Sequence, residues 1–153
     1  MIFNFENLLG SGVNDTLTGS TAANVLWGGD GSDVLIGAAG ADTLDGGAGV
    51  DFFVFNPALG AANIDQISGY VVADDTIRLE NGIMTGLGAT TGTMTAAAYF
   101  TGAAAGDASD RIIYNSGTGA LLYDADGTGA TAAIQFATLS TGLVMSNLEF
   151  VII

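Results

Sequence analysis

The chain has 153 residues, with 16 Asp and Glu against two Arg, and no Lys, His or Cys, so its net charge is −14. Without His and Cys there is no thiol chemistry, no Ser-His or Cys-His nucleophile pair and no His- or Cys-ligated zinc site, and any catalysis would rest on carboxylates alone. Two cations cannot neutralise a phosphate surface, which argues against nucleic acid and anionic membrane as partners and makes a hard cation the natural counterpart.

A hydrophobic share of 49% supports a folded core in one domain or two small ones. No run of about 18 apolar residues exists for membrane insertion, and residues 1–9 lack the basic region of a Sec-type signal peptide. The missing Cys suits a secreted bacterial protein that does without disulfides as well as a cytosolic one. The start of the chain reads as a lead-in strand of a module cut from a longer protein.

Residues 10–54 fall into five blocks of nine: GSGVNDTLT, GSTAANVLW, GGDGSDVLI, GAAGADTLD and GGAGVDFFV. Position one is always Gly, position six reads Asp15, Asn24, Asp33, Asp42 and Asp51, and position eight reads Leu17, Leu26, Leu35, Leu44 and Phe53. The small first six residues suit a turn and the last three a short strand, whose eighth side chain points inward. Two consecutive blocks then make one coil of a flattened parallel β-roll with a core one side chain wide, and each coil needs its neighbours.

Stacked turns bring position six of one block beside position six two blocks later. Asp15 faces Asp33 and Asp33 faces Asp51 on one edge, while Asn24 faces Asp42 on the other. Close anions in a turn rich in carbonyl oxygens call for a cation, and flexible oxygen ligands favour Ca²⁺ over the octahedrally demanding Mg²⁺. Backbone oxygens of positions two and four, at Gly29, Gly31, Gly40, Gly47 and Gly49, are the expected companions. Asp30 and Asp45, at positions three and nine, read as solvated charges.

The blocks at 28–36, 37–45 and 46–54 resemble the G-G-x-G-x-D-x-U-x nonapeptide of the RTX (repeats-in-toxin) family, whose β-roll binds Ca²⁺. Val13 and Ala22 replace the fourth Gly and Asn24 replaces Asp in the first two blocks, where sites are expected to be weaker or empty. About three to five ions are expected in all. The period breaks at Asn56-Pro57, and DQISGYVVADDTIRL is similar to the family's closing segment, which implies that Asp65 closes the last turn. Asp74-Asp75 reads either as a second closing acid at Asp75 or as an exposed polar turn before a strand over 76–79.

Residues 83–95 read as loop and short strand, and Ala96-Ala97-Ala98-Tyr99-Phe100 as a one- or two-turn helix capped by the Thr95 hydroxyl and ended by Gly102. Residues 111–123 form a hairpin that returns through Ser116-Gly117-Thr118-Gly119. Asp124-Ala125-Asp126-Gly127 matches half of an EF-hand loop, but the twelfth position is Gln135 rather than Glu, so a tight turn with polar tips is the better reading. Asp107, Asp110 and Arg111 are placed to pair locally.

Segment 110–129 is similar to the unit that follows the repeats in serralysin-type metalloproteases and mannuronan C5-epimerases, and the terminal Glu149-Phe150-Val151-Ile152-Ile153 resembles the uncleaved signal read by type I secretion machinery in unfolded chains. It also reads as a last β-strand.

These readings converge on an all-β chain. Residues 1–60 form a calcium-binding parallel β-roll, and 61–153 an antiparallel capping and secretion-signal region packed on it as one continuous domain. The leading function is a non-catalytic, extracellular, calcium-folded module for type I secretion and stabilisation. The alternatives are a polysaccharide-binding accessory module, for which Arg78 and Arg111 make a poor anionic-polymer strip, and a self-assembling filament or surface-layer protein docking through the first coil near Phe3 and Phe5. A metalloprotease is excluded because H-E-x-x-H needs His.

Overall fold

The apolar residue at every eighth block position sets the architecture. In a computed structural model, which describes residues 7–153, strands two blocks apart in the sequence stack parallel, as the period requires. One sheet begins with β1 (Asn7–Leu9), β3 (Val25–Asp30) and β5 (Thr43–Ala48), and the other with β2 (Thr16–Thr18), β4 (Val34–Ile36) and β6 (Phe52–Phe55). Leu8, Leu26 and Leu44 stand in register in the first sheet, and Leu17, Leu35 and Phe53 in the second. From the second coil onward these side chains are fully buried, whereas Leu8 and Leu17 in the first coil are only half-buried.

The roll continues past the broken period. β7 (Asp65–Ser68) adds to β5 with Ile67 beside Leu44, and β8 (Thr76–Leu79) adds to β6 with Ile77 beside Phe53. The segment around Asn56-Pro57 therefore lengthens a coil without ending the ladder.

The C-terminal part then closes both sheets. β9 (Gly92–Thr93), β10 (Tyr99–Thr101), β11 (Ile112–Asn115), β12 (Ala120–Tyr123), β13 (Ile134–Thr138) and β14 (Phe150–Ile152) extend them to the orders β1-β3-β5-β7-β13-β12-β11-β10 and β2-β4-β6-β8-β14-β9. β13 joins β7 and β14 joins β8 in parallel, while β11–β12, β12–β13 and β14–β9 are antiparallel. The expected hairpin over 111–123 is the β11–β12 pair, with Asn115 opposite Ala120.

The terminal strand β14 lies between β8 and β9, with Phe150 fully buried. Phe55 and Phe136 meet edge-on at 5.0 Å between ring centroids and join the roll to the cap.

One expectation is corrected. Ala96–Ala98 is a single 3-10 turn with no side-chain cap from Thr95, and Tyr99 leaves it directly into β10. Pairing with β11 draws Tyr99 into the extended conformation before a second helical turn can form. The docking role read for Phe3 and Phe5 falls outside the described residues. Among those residues no helix is long and apolar enough to cross a membrane.

Because the core is one side chain wide, its strength depends on each layer. Leu44→Ala, at a fully buried position, is expected to cost about 2–5 kcal/mol in urea unfolding with Ca²⁺ present. Leu9→Ala, at an exposed position, is expected to change stability by no more than about 0.5 kcal/mol.

Candidate metal centres

The coil-to-coil register fixes where the position-six side chains fall. On one edge of the roll the backbone N–H of Asp15 donates to Oδ1 of Asp33 at 2.8 Å, that of Asp33 to Asp51 at 2.9 Å and that of Asp51 to Asp75 at 3.1 Å. On the other edge, Asn24 N–H donates to Oδ1 of Asp42 at 2.8 Å and Asp42 N–H to Asp65 at 3.0 Å. The expected neighbours therefore meet as two ladders, in which each carboxylate is tied to the coil before it by one oxygen.

The second oxygen distinguishes the rungs. Oδ2 of Asp33, Asp42 and Asp51 is buried and accepts no hydrogen bond. At the start of the first ladder, Asp15 Oδ2 accepts from the Ser11 N–H at 2.6 Å and the Ser11 hydroxyl at 2.8 Å. At its end, Asp75 Oδ2 accepts from the Val71 N–H at 2.8 Å. Asn24, also buried, accepts the Ser20 N–H on Oδ1 at 2.6 Å.

An ionised carboxylate with one buried, unmatched oxygen is unstable unless a proton or a cation joins it. These three oxygens fit a divalent cation with hard oxygen ligands.

The glycines make room for this arrangement. A Cβ on Gly28, Gly37 or Gly46 would run into Oδ2 of Asp33, Asp42 or Asp51, which explains the constant Gly at block position one. Gly47 and Gly49 adopt φ of 92° and 133°, and a Cβ on them would overlap the carbonyl oxygens of Gly29 and Gly31. A Cβ on Gly40 would likewise come within 2.8 Å of the Ala22 carbonyl. The Gly29 and Gly31 carbonyls, two of those expected as ligands, thus lie at the interface between successive turns. Among the described residues no three acidic side chains converge, so an ion here would be completed by main-chain oxygens.

Several assignments change in detail. Asp75 is buried and forms a full rung, so the closing-acid reading holds and the exposed-turn reading does not, although Asp74 is exposed. Asp45 is not a solvated charge: it is half-buried and accepts from the Gly47 N–H at 3.1 Å and the Ser68 hydroxyl at 2.9 Å, whereas Asp30 is exposed as expected. Arg111 donates to the carbonyls of Gly86, Ala108 and Asp110 rather than to a carboxylate. Asn63, which carries no periodic signal, accepts the Gly40 N–H at 2.9 Å in the lengthened coil.

Burial raises the carboxyl groups of Asp42, Asp51 and Asp75 above their ordinary value, against the opposing effect of the backbone N–H groups they accept. Asp65 is pushed up to about 7, first by burial and then, after the lowering effect of the Asp42 N–H, by the Asp42 charge. An acid raised in the folded state holds a proton that the unfolded chain releases. Its stabilisation is complete below the ordinary 3.8 and is lost as the pH climbs, through about 7 for Asp65. In EDTA, urea unfolding is therefore expected to show a more stable protein at about pH 5 than at about pH 8. Saturating Ca²⁺ is expected to flatten that dependence, and a metal-free form that gains stability as the pH rises would contradict the assignment.

Ala38 is the one non-glycine residue with positive φ among the described residues, at 68°, in the block position that Gly29 and Gly47 fill elsewhere. Relieving this conformation with Ala38→Gly is expected to raise stability by about 1 kcal/mol in the same unfolding assay.

The RTX calcium-binding nonapeptide repeat family matches this chain in four copies, over residues 9–44 and 29–56. No curated protein matches it. Among solved structures the chain is similar to the AlgE6R3 subunit from the Azotobacter vinelandii mannuronan C5-epimerase, determined in solution, at 24% identity over 92% of this chain and 79% of that one, with a TM-score of 0.29. Residues 9–56 thus match the RTX calcium-binding nonapeptide repeat, a match that supports Ca²⁺ binding by this part of the chain.

Proposed function

We propose that this chain is a non-catalytic extracellular module that folds on Ca²⁺ and serves the type I secretion and stabilisation of a secreted bacterial protein. The observation that carries the reading is the set of three buried, unmatched carboxylate oxygens on Asp33, Asp42 and Asp51. In this reading each marks one ion, at the lower end of the expected number. Asp15, Asn24 and Asp65 are the flanking rungs, and the carbonyls of Gly29, Gly31, Gly40, Gly47 and Gly49 supply main-chain ligands.

In low-calcium cytosol the acids of a chain with net charge −14 repel one another and keep the coils apart, which suits passage through a narrow exporter. Extracellular modules bind Ca²⁺ with dissociation constants on the order of 10⁻⁴ to 10⁻³ M. A site filled at 100 times its dissociation constant adds about 2.7 kcal/mol, so a few sites match the whole stability of a small domain.

Residues 1–60 and 61–153 act in this proposal as one folding unit. Sheets that run from β1 through β7 into β13, and from β2 through β8 into β14, support that view. The carboxyl end, which lies in sheet as β14 when folded, is available to the secretion machinery only while the chain is unfolded.

Circular dichroism and calorimetry during a Ca²⁺ titration of EDTA-stripped protein, with Mg²⁺ as control, test the reading. A cooperative coil-to-β transition near millimolar Ca²⁺ is expected. Asp33→Asn combined with Asp51→Asn is expected to shift its midpoint upward by about tenfold or more, equivalent to about 1.4 kcal/mol. A protein that is equally folded without Ca²⁺ and gives no binding heat would overturn the proposal.

A further inference from the structure

The first coil is the open end of the roll. β1 and β2 begin the two sheets with no strand on their outer side among the described residues, and the inward Leu8 and Leu17 are only half-buried. The Gly10 N–H donates to the Trp27 carbonyl at 2.7 Å and the Gly19 N–H to the Ile36 carbonyl at 2.8 Å. Backbone groups alternate in direction along a strand, so Asn7, Leu9, Thr16 and Thr18 turn their N–H and C=O groups to the open side.

Exposed apolar side chains gather at the same end. Leu9 is 69% exposed and Val13 67%, and Trp27, beside Leu9 in register, is 49% exposed. Open strand edges together with exposed apolar groups mark a surface onto which further strands can add.

Charge selects what this surface receives. Residues 7–24 carry a single charge, that of Asp15, in a chain with 16 acids. A second copy of this acidic chain can therefore approach here without broad repulsion. Asp15 stands on one edge of the coil and Asn24 on the other. Antiparallel pairing of β1 with the partner's β1, and of β2 with the partner's β2, turns one copy by half a rotation. Each Asp15 then faces the partner's Asn24, which is neutral, and the two carboxylates stay on opposite edges. Pairing β1 with the partner's β2 would set Asp15 against the partner's Asp15.

We propose that two copies of this chain join head to head through their first coils in a closed, twofold-symmetric dimer. Leu8 lies opposite the partner's Leu8 and Leu17 opposite the partner's Leu17, which completes the inward column across the interface. The open backbone groups of Leu9 pair with those of the partner's Asn7, and those of Thr18 with the partner's Thr16. The far ends of the sheets offer no matching surface. One sheet ends in β9, only two residues long, and the other in β10, where Gly102 and Gly106 pack against the Phe100 ring. The pair therefore closes and does not grow into a filament. The dimer needs only the closed roll and stands apart from the secretion reading.

Sedimentation equilibrium of the full chain over a concentration series at saturating Ca²⁺ tests the dimer. A mass that rises to two copies and stops there is expected. Leu9→Asp combined with Thr18→Asp, both at exposed positions, places like charges across the interface and is expected to weaken association about tenfold or more while keeping the coil-to-β transition. A monomer at every concentration, masses beyond two copies, or a dimer unaffected by the double substitution overturns the proposal.

Should that variant not fold, cross-linking decides. The chain has no Cys, so a single introduced thiol can form a disulfide only between copies. Residues directly opposite in an antiparallel pair lie about 4.5–5.5 Å apart between Cα atoms, within disulfide reach. Leu17→Cys is expected to cross-link on mild oxidation far more than Val144→Cys, a position 89% exposed and remote from the first coil in sequence. Equal cross-linking of the two overturns the proposal.

Discussion

Everything in the roll depends on a carboxylate that is asked to do two things at once. One oxygen of Asp33, Asp42 and Asp51, and likewise of Asp65 and Asp75, accepts the backbone N–H of the coil before it, which sets the register between coils. In Asp33, Asp42 and Asp51 the other oxygen is then buried with nothing to satisfy it. The contact that aligns the strands thus also creates the charge problem. Burying an unpaired carboxylate costs far more than a single hydrogen bond returns, so the closed roll requires a proton or a cation. The repeated Gly at position one belongs to the same constraint, because any side chain there would displace that oxygen.

The narrow core explains why neutralisation matters so much. Each coil contributes two inward side chains, one per sheet, and the layers Leu26–Leu44–Ile67 and Leu35–Phe53–Ile77 are fully buried only because layers lie on both sides of them. The half-buried Leu8 and Leu17 show what an end layer looks like. A solenoid this thin gains stability from nearest neighbours rather than from a broad interior, so a few uncompensated charges weigh heavily against it.

The C-terminal part is as much a component of the sheets as the repeats are. β13 and β14 dock in parallel on β7 and β8 and then hand over to antiparallel partners, so the strand edges at the C-terminal end of the roll are covered, while β1 and β2 stay edge strands. Because β14 is an inner strand, the final residues complete the second sheet although their partners in β8 lie near the middle of the chain.

The block period by itself determined the parallel β-roll, the inward Leu and Phe column and the pairing of acids two blocks apart, because stacking identical short units leaves no other way to bury a single apolar column. Local chemistry likewise made the β11–β12 hairpin and the Thr76–Leu79 strand legible. What only the tertiary structure decided lies where spacing stops being regular. Asp65 and Asp75 reach their ladders across 23 and 24 residues, longer than the two-block interval, and the conversion of Asp75 from a polar turn to a buried rung depends on that lengthened coil. The choice between a helix and a single 3-10 turn at Ala96–Ala98 was made by the pairing of β10 with β11, and the burial of Asp124 by the docking of its loop on the turn near Asp107. Periodicity reports contacts between equivalent residues of successive coils. It carries no information about contacts between unlike segments brought together by the folded chain.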